Sequence, residues 1–302
     1  MTSSTALLPS VRAAFGALID YAGLFPPARL PLAEAFAEYG AARQGPHAWM
    51  LGRFIVPASA LPVASDAALS VVVEPSAEAF ELVARQRKSS PRIETIEVPL
   101  NQSVAPFREQ LSTAERLDVL GALEADLAVN GLRDVTAFVE IPRARPWWSA
   151  LSDTMGVLAR LKFGAKLRCG GLSAEAFPSI DEVAAFIAAA AAAGVPFKAT
   201  AGLHHPVRHL DESTGFTMHG FLNVLAAAAF ASQVDEATLR EIVGEEEKSA
   251  FTFASDSFAW RDRRINVAEL QATRHSAFVA YGSCSFAEPV ADLTAMGLLP
   301  CG

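Results

Sequence analysis

Residues 165–201 read AKLRCGGLSAEAFPSIDEVAAFIAAAAAAGVPFKATA, two short apolar runs, 165–169 and 197–201, on either side of a helical pattern over 179–193. Ser179 and Glu182 have the spacing of a capping box, and Gly194 supplies the stop signal of a helix. A strand, a helix and a second strand in this order are typical of a βαβ unit with two parallel strands. This unit indicates the fold class, because the rest of the chain repeats it.

Strand-like runs rich in Val, Ile and Phe recur along the whole chain with helical patterns between them. Their ranges are 49–56, 69–74, 93–98, 135–141, 165–169, 197–201, 250–254 and 277–283. Eight parallel strands with helices between them close naturally into a barrel, whereas an open doubly wound sheet of that many strands is less usual. The sequence therefore predicts an α/β fold, a single (βα)8 barrel of the TIM type, with the open sheet as the alternative.

The chain length of 302 residues fits one such domain, since these barrels take about 250 residues or slightly more. Two helical patterns, 8–19 and 32–43, precede the first predicted strand. We expect residues 1–47 to form an N-terminal helical extension packed on the barrel. A helix that feeds the first strand ends at the barrel bottom, so the loop 20–27 before it lies near the top. Asp20 and Tyr21 are the candidate binding residues of this loop.

Composition excludes several classes of partner. A net charge of -8 argues against binding nucleic acid, which needs clustered Lys and Arg. The apolar run 183–195 is too short to span a bilayer, and no basic residue precedes the first apolar stretch as in a signal peptide. The three scattered cysteines, Cys169, Cys284 and Cys301, favour a reducing compartment. We expect a cytoplasmic protein with a small-molecule substrate and neither a nucleic acid nor a membrane as partner; a homo-oligomer stays open.

Charged and polar residues recur on one face of several predicted strands, where side chains two apart point the same way. These residues are Glu97, Glu140, Lys166, Arg168, Lys198 and Thr200. Helices cover the outer face of a parallel barrel, so we expect the charges in the upper layer of its interior, with Glu97 and Glu140 at matching heights. A buried structural ion-pair network is the alternative, but such networks are costly to assemble, which favours a functional site.

Lys198 is the candidate for the reactive residue. An ammonium group in an apolar barrel wall is disfavoured by desolvation and, with Lys166 and Arg168 one strand away, by like charge. A partly deprotonated lysine forms a Schiff base with a carbonyl compound. Glu140 either pairs with Lys198, opposing this shift, or serves with Glu97 as a proton-transfer partner. Lys166 and Arg168 would hold a substrate anion.

Residues 198–202, Lys-Ala-Thr-Ala-Gly, resemble the Lys-Thr-Ser-Thr-Gly stretch on strand six of class I deoxyribose-phosphate aldolases. In that family this lysine forms the Schiff base, so the resemblance implies the same role for Lys198 on the sixth predicted strand. The family also keeps a second lysine on strand seven, before paired glycines. The seventh predicted strand, 250–254, has no lysine, and the paired glycines Gly170 and Gly171 follow the fifth. The resemblance covers five residues and implies a barrel with an active lysine.

The chain also resembles a family of bacterial (βα)8-barrel proteins that carry a similar Leu-His-His-Pro stretch, here residues 203–206. This second resemblance implies the fold without implying an activity.

Histidines after the sixth predicted strand offer an alternative chemistry, because imidazoles and carboxylates are ligands of divalent metals. The ligand set would be His204, His205 and His219 with Glu97 and Glu140. No HExxH or HxH spacing is present, and adjacent side chains diverge in an extended segment. We therefore predict no cofactor, with His204 or His205 as a general acid or base, since imidazole titrates near neutrality. A metal-dependent isomerase or hydrolase is the alternative.

Ser283 and Arg261 complete the candidate binding residues. Ser283 stands among small residues before the last helix, where backbone amides can cradle a phosphate, although Glu288 already occupies that helix start. Arg261 would hold a substrate carboxylate in a bidentate grip. Cys284 is interpreted as packing. The favoured function is a lyase or aldolase-type enzyme acting on a small carbonyl or carboxylate compound, with a non-catalytic ligand-binding barrel as a further alternative.

Overall fold

Eight parallel strands close into a barrel in the computed structural model, which describes residues 7–63, 66–89, 92–100, 111–143, 145–212 and 214–300. Consecutive strands from the first to the seventh pair with each other, and the eighth pairs with the seventh and the first. The barrel strands are β1 (Ile19–Tyr21), β2 (Leu51–Pro57), β3 (Leu69–Val72), β4 (Ile93–Pro99), β5 (Thr136–Glu140), β6 (Gly164–Arg168), β7 (Phe197–Thr200) and β13 (Phe278–Ser283). The (βα)8 barrel is thus confirmed, and the sheet is closed rather than open.

Five short strands lie between β7 and β13 and form two small antiparallel sheets outside the barrel. One is the hairpin of β8 (His209–Asp211) and β9 (Phe216–Met218). The other has three strands, β10 (Phe251–Phe253), β11 (Ser257–Trp260) and β12 (Arg263–Asn266).

Helices surround the barrel between its strands. They are α1 (Pro9–Phe15), α2 (Leu32–Gln44), α3 (Ala77–Ser89), α4 (Thr113–Val129), α5 (Arg145–Trp148), α6 (Leu151–Leu161), α7 (Ile180–Ala193), α8 (Phe221–Phe230), α9 (Glu236–Gly244), α10 (Val267–Ser276) and α11 (Ala287–Ala295). Short 3-10 turns occupy Ala48–Met50, Ala58–Ala60, Ala174–Ala176 and Lys248–Ala250.

Helix α7 forms as its sequence predicts. The Ser179 side chain accepts a hydrogen bond from the Glu182 amide in a capping box, and Gly194 ends the helix with a φ of 64°. Its buried face packs on the barrel, where the rings of Phe186 and Phe197 lie 5.5 Å apart. The stretch Ala174–Ala193 is apolar and long enough to cross a membrane by composition alone, a property that buried core helices share.

The amino-terminal segment contributes a barrel strand, which corrects the expected extension. Helix α1 ends at Phe15 rather than at residue 19, and β1 then pairs with β2 and β13. Strand β1 has only three residues, all of them buried, and a stretch this short cannot be recognised by an alternation of apolar and polar residues. Residues 1–47 are therefore not only a helical extension. Asp20 and Tyr21 lie on a strand instead of in a loop.

The expected seventh strand, 250–254, does not join the barrel. Strand β10 pairs antiparallel with β11 in the outer sheet. A short apolar run does not distinguish a barrel strand from a hairpin strand, because both bury aromatic side chains. With β1 added and β10 removed, Lys166 lies on the sixth barrel strand and Lys198 on the seventh, not on the fifth and sixth.

An aromatic ring occupies the barrel interior beside a glycine. Phe138 on β5 pairs in register with Gly164, the first residue of β6. A Cβ atom at position 164 would lie 2.4 Å from Phe138 Cδ1 and 3.1 Å from the Pro196 carbonyl oxygen. The buried Phe138 ring therefore requires a residue without a side chain at this position.

We expect Gly164→Ala to lower the free energy of unfolding by about 1–3 kcal/mol, because the added methyl group overlaps a buried ring. Gly121→Ala is the matched control, since Gly121 lies in α4 and a Cβ atom there would meet nothing within 4 Å. The control should be neutral or stabilising by about 0.5–1 kcal/mol through helix propensity. Urea denaturation of both variants measures the difference, and equal stabilities would contradict the tight fit at Phe138.

Candidate functional site

Three carboxylates and three cations meet inside the barrel in an order of alternating sign. We call this group the charge chain. From the amino-terminal strand to the barrel mouth it consists of Asp20, Lys198, Glu97, Lys166, Glu140 and Arg168. All six residues were expected from the sequence to lie near the site, and the structure brings them into direct contact.

Strand register sets the heights of these charges. Glu140 pairs with Lys166, and Lys166 pairs with Lys198, so three charged residues lie side by side on the neighbouring strands β5, β6 and β7. Glu97 pairs with Phe138, two residues below Glu140. The two glutamates are therefore not at matching heights, which corrects the sequence-based expectation, and Glu97 lies deeper than Glu140.

Ionic contacts join each member of the charge chain to the next. Lys198 Nζ lies 2.6 Å from Asp20 Oδ2 and also contacts Glu97 Oε1. The other oxygen of Glu97, Oε2, lies 2.7 Å from Lys166 Nζ. Lys166 Nζ is in turn 3.0 Å from Glu140 Oε2. Because Glu97 uses one oxygen for each lysine, it bridges the two ammonium groups.

Side-chain exposure falls steadily along the charge chain from Arg168 to Asp20, so Arg168 marks the end that faces solvent. The side chain of Arg168 is 51% exposed and pairs through Nε with Glu140 Oε1 at 2.9 Å; Glu140 is 14% exposed. The exposed fraction drops to 5% for Lys166 and to 1% for Lys198. Arg168 is the last residue of β6, so a small molecule entering at the carboxyl ends of the strands meets Arg168 and Glu140 first and Lys166 before Lys198.

A relay of two hydroxyl groups, Thr95 to Ser70 to Glu97, adds a further hydrogen bond to the Glu97 carboxylate, and the sequence reasoning missed both residues. Ser70 Oγ donates to Glu97 Oε1 at 2.6 Å, and Thr95 Oγ1 donates to Ser70 Oγ at 2.6 Å. Lys198 Nζ also lies 3.2 Å from Ser70 Oγ. A signal was present, since both residues are polar positions on otherwise apolar strands and buried polar groups need partners.

Asp20 reaches the chain through a gap left by a glycine. The Arg53 amide donates to Asp20 Oδ1 at 2.6 Å, which orients the carboxylate. A Cβ at Gly52 would lie 2.3 Å from the same oxygen. Position 52 therefore needs glycine so that the Asp20 carboxylate can sit against the β2 backbone with its other oxygen facing Lys198.

At the centre of the charge chain, ion pairing affects the pKa values of Glu97 and Lys166 more than burial does. Burial alone would raise the pKa of Glu97, but the ammonium groups of Lys166 and Lys198 lower it well below its usual range. Burial would likewise lower the pKa of Lys166, but the carboxylates of Glu97 and Glu140 raise it. Both groups are therefore charged at neutral pH, and the site contains a salt-bridge network.

The expected surroundings of Lys198 are corrected by these contacts. The sequence suggested an apolar wall with Lys166 and Arg168 nearby and left open a pairing with Glu140, which contacts Lys166 and Arg168 instead. Other carboxylates contact the Lys198 ammonium group from two sides, and the Phe138 ring lies 5.7 Å away. Lys198 therefore lies between two carboxylates rather than in a purely apolar wall.

Two expected binding residues lie outside the charge chain. Tyr21 is buried, and its hydroxyl donates to Glu38 Oε2 at 2.5 Å on the outer side of β1. Ser283 is also buried, and its hydroxyl donates to the Ser285 carbonyl at 2.6 Å in a local turn. In both cases the neighbouring protein groups use the hydroxyl that was assigned to substrate.

Arg261 likewise has structural partners. Its guanidinium lies 2.9 Å from Glu245 Oε2 and stacks 4.4 Å from the centre of the Trp260 ring in the outer sheet. Thr200, in contrast, ends β7 on the inner face: a Cβ at Gly282 would lie 3.2 Å from its Oγ1. Thr200 is therefore part of the mouth, and Arg261 is not.

The three histidines of the metal alternative do not converge. His204, His205 and His219 have different partners, which are respectively Glu288, Asp292 and the Pro178 carbonyl. Glu97 and Glu140 are bound to lysines. Within the described ranges, no group of three or more His, Cys, Asp or Glu side chains is placed to hold a metal ion. The proposed ligand set is therefore not assembled.

Comparison with known proteins adds no family to this geometry: no protein-family model, no curated protein and no solved structure gives a significant match to the chain. The functional argument therefore rests on the side chains described above.

We expect Glu97→Gln to lower the free energy of unfolding at pH 7 by about 3–5 kcal/mol, because it leaves two buried ammonium groups without their shared partner. The pKa of Glu97 is lowered from its ordinary 4.5. Its stabilising effect is therefore complete above that pH and is lost as the pH falls towards the lowered value, where the unfolded chain is already protonated. The difference between the proteins should shrink below pH 4.5.

Urea denaturation between pH 3 and 8 measures this effect. Glu81→Gln, on the exposed surface of α3, is the control and should change stability little at any pH. A Glu97→Gln protein as stable as the wild type at pH 7 would show that the bridge adds no stability.

Proposed function

We propose that the protein is a lyase-type enzyme that acts on a small carbonyl or carboxylate compound at the charge chain. The observation that carries the proposal is Glu97, one buried carboxylate that bridges two lysines inside a barrel whose charges continue to the mouth. Charged residues at the carboxyl ends of barrel strands are typical of active sites. Stability alone does not explain such a buried ionic network, because well-packed apolar residues in its place often stabilise a protein equally well or better.

The corrected strand order supports a different lysine from the one that the motif indicated. In the aldolases that residues 198–202 resemble, the Schiff-base lysine lies on strand six and a second lysine on strand seven. Lys166 lies on the sixth barrel strand here and Lys198 on the seventh. The short motif matches at Lys198, whereas strand position favours Lys166. We therefore assign imine formation to Lys166 and a supporting role to Lys198.

Access from the mouth favours the same assignment. Lys166 is the first lysine behind the Arg168 and Glu140 pair, and its side chain is more exposed than that of Lys198. Lys198 is enclosed by Asp20, Glu97 and the Phe138 ring. A carbonyl carbon would reach Lys166 without displacing the deeper pairs.

The proposed reaction begins with the loss of a proton from Lys166, whose raised pKa keeps it as an ammonium at rest. A substrate carboxylate bound by Arg168 would draw the guanidinium from Glu140 and so increase the proton affinity of that carboxylate. Glu140 then accepts the proton from Lys166 Nζ. The free amine adds to the substrate carbonyl carbon and forms a carbinolamine.

Dehydration and bond cleavage follow. Glu140 returns the proton to the carbinolamine hydroxyl, which leaves as water and gives an iminium ion. The bond between the α and β carbons of the substrate then breaks as Glu140 takes the proton of the β-hydroxyl group. The β fragment leaves as an aldehyde or ketone, and the electron pair of the broken bond gives an enamine by neutralising the iminium nitrogen. Lys198, which shares the Glu97 carboxylate with Lys166, returns a proton to carbon in this proposal. Water then hydrolyses the imine and releases Lys166.

Borohydride trapping tests this proposal. With a panel of aldehydes and keto acids, including acetaldehyde and pyruvate, we expect reduction to add the mass of one bound carbonyl compound at Lys166. The trapping rate should rise with pH from 7 to 10, because the pKa of Lys166 is raised and the neutral amine is the nucleophile. Peptide mass spectrometry identifies the modified residue.

Lys166→Arg is the informative variant, since it keeps a positive charge between Glu97 and Glu140 but forms no imine. It should fold and lose the added mass. Lys248→Met, outside the barrel in a 3-10 turn, is the control and should be trapped like the wild type. Mass addition at Lys198 alone would return the assignment to the motif-based lysine. No addition with any compound, in a protein that still binds one of them, would indicate the ligand-binding barrel.

A further inference from the structure

A second group of reactive side chains lies at the rim of the mouth, outside the charge chain. Cys284 directly follows β13, and His204 lies four residues after the end of β7. Since β7 and β13 are paired neighbours in the barrel, both loops leave the same side of it. Glu288 lies in the first turn of α11, one helical turn after Cys284 in sequence.

These three side chains have the order of a nucleophile, a base and an orienting carboxylate. Cys284 Sγ lies 3.9 Å from His204 Nε2, within the range of a hydrogen bond to sulfur. The other ring nitrogen, Nδ1, lies 2.8 Å from Glu288 Oε2. A ring held by a carboxylate on one nitrogen and facing a thiol with the other is the geometry of activated cysteine nucleophiles.

The protonation of His204 fits this role. Its hydrogen bond with Cys284, opposed by burial and helped by Glu288, raises the pKa of His204 to about 9. The ring is therefore an imidazolium at neutral pH, a suitable charge partner for a thiolate and a proton donor for a leaving group. The His204 side chain is 18% exposed and Cys284 is half-buried, so a small molecule can reach the pair.

Cys169 and His205 lack the combination of partners that Cys284 and His204 have. Cys169 is fully buried, and burial raises the pKa of its thiol to about 12, as expected of a packing residue. His205 has a comparable carboxylate partner, with Nδ1 2.6 Å from Asp292 Oδ2, but its ring faces His209 rather than a thiol. Only His204, among the described histidines, combines a carboxylate with a cysteine.

We propose that Cys284, His204 and Glu288 form a second catalytic site that hydrolyses activated acyl compounds, namely small esters or thioesters. This site is independent of the lyase activity proposed for the charge chain, since it shares no residue with it.

The proposed step is balanced by water alone. The Cys284 thiolate adds to the acyl carbon, the bond from that carbon to the alcohol or thiol breaks, and His204 gives its proton to the departing group. Water then adds to the acyl-cysteine while His204 takes its proton. The carbon–sulfur bond breaks, which releases the carboxylic acid and restores the thiolate and imidazolium.

Alkylation with iodoacetamide tests the nucleophile first. All proteins carry Cys301→Ser, so that the thiols of Cys169 and Cys284 are compared. We expect Cys284 to be labelled at least tenfold faster than Cys169 at pH 7, and His204→Ala to slow its labelling on the order of tenfold. His205→Ala is the matched control, because it removes the neighbouring imidazole and should leave the rate unchanged. Equal rates in the His204→Ala and His205→Ala proteins would overturn the assigned activation.

Turnover of p-nitrophenyl acetate tests the chemistry. We expect a burst of about one equivalent of p-nitrophenolate, an acetyl group on Cys284 by peptide mass spectrometry, and slower continued hydrolysis. Cys284→Ser should abolish the burst, while Glu288→Gln should lower the rate of acylation and retain the fold. Absence of acetyl-Cys284, or its formation without later hydrolysis, would refute a hydrolytic site.

Two further measurements test the hydrogen bond between Cys284 and His204 and the independence of the two sites. NMR titration should place the pKa of His204 at about 9 in the wild type and nearer its ordinary 6.5 in Cys284→Ala, because the hydrogen bond to sulfur is the largest cause of the shift. Lys166→Arg should leave the ester reaction unchanged. Loss of the ester reaction in Lys166→Arg would show that one site, not two, carries both activities.

Discussion

The Glu97 carboxylate, shared by Lys166 and Lys198, is the interaction on which the barrel interior depends. Two ammonium groups at this depth are tolerated only if a carboxylate lies against both, because an unpaired buried charge is far costlier than a paired one. The surrounding polar residues follow from this requirement. Ser70 donates a hydrogen bond to Glu97 and accepts one from Thr95, and Asp20 supplies the second negative charge at Lys198.

The alternation of charge continues beyond the site towards the opposite end of the barrel. Asp20 Oδ1 lies 3.8 Å from Arg53 Nη1, and Arg53 Nε lies 3.1 Å from Glu94 Oε2 near the start of β4. Each member of this series thus has a neighbour of opposite sign, and a change of charge at one member alters the electrostatic environment of the next. For this reason an anion at Arg168 would act on Lys166 through Glu140, even without touching Lys166 itself.

Periodicity was enough to predict most of the barrel, but it missed the first strand and wrongly added the run 250–254. Strand β5, for example, is a mostly apolar run that follows α4, whose capping box is a clear helix signal, so its existence follows from local sequence. Strand β1 has three fully buried residues after a helical pattern, and its partner strands lie far away in sequence. The contact between Cys284 and His204 could not be predicted either, because the two residues are 80 positions apart in sequence and meet only through the pairing of β7 with β13. In contrast, Ser70 and Thr95 could have been predicted from the sequence, because the rule that buried polar groups need partners, already applied to Lys198, applies to them as well.

The two proposed sites stand at different levels of one opening, and a glycine separates them. On β13, Gly282 pairs with Thr200, above the level of Lys198 and below Cys284. A side chain at Gly282 would meet Ile55 Cδ1 at 3.0 Å and Thr200 Oγ1 at 3.2 Å, so its absence relieves crowding between rim and interior. The protonation of the two sites also differs in cause. The carboxylates of Glu97 and Glu140 outweigh burial and raise the pKa of Lys166, whereas the hydrogen bond with Cys284 is the largest cause that raises the pKa of His204. A thiol at the entrance and an amine beneath it therefore keep separate proton partners, which is the physical condition for two chemistries in one barrel.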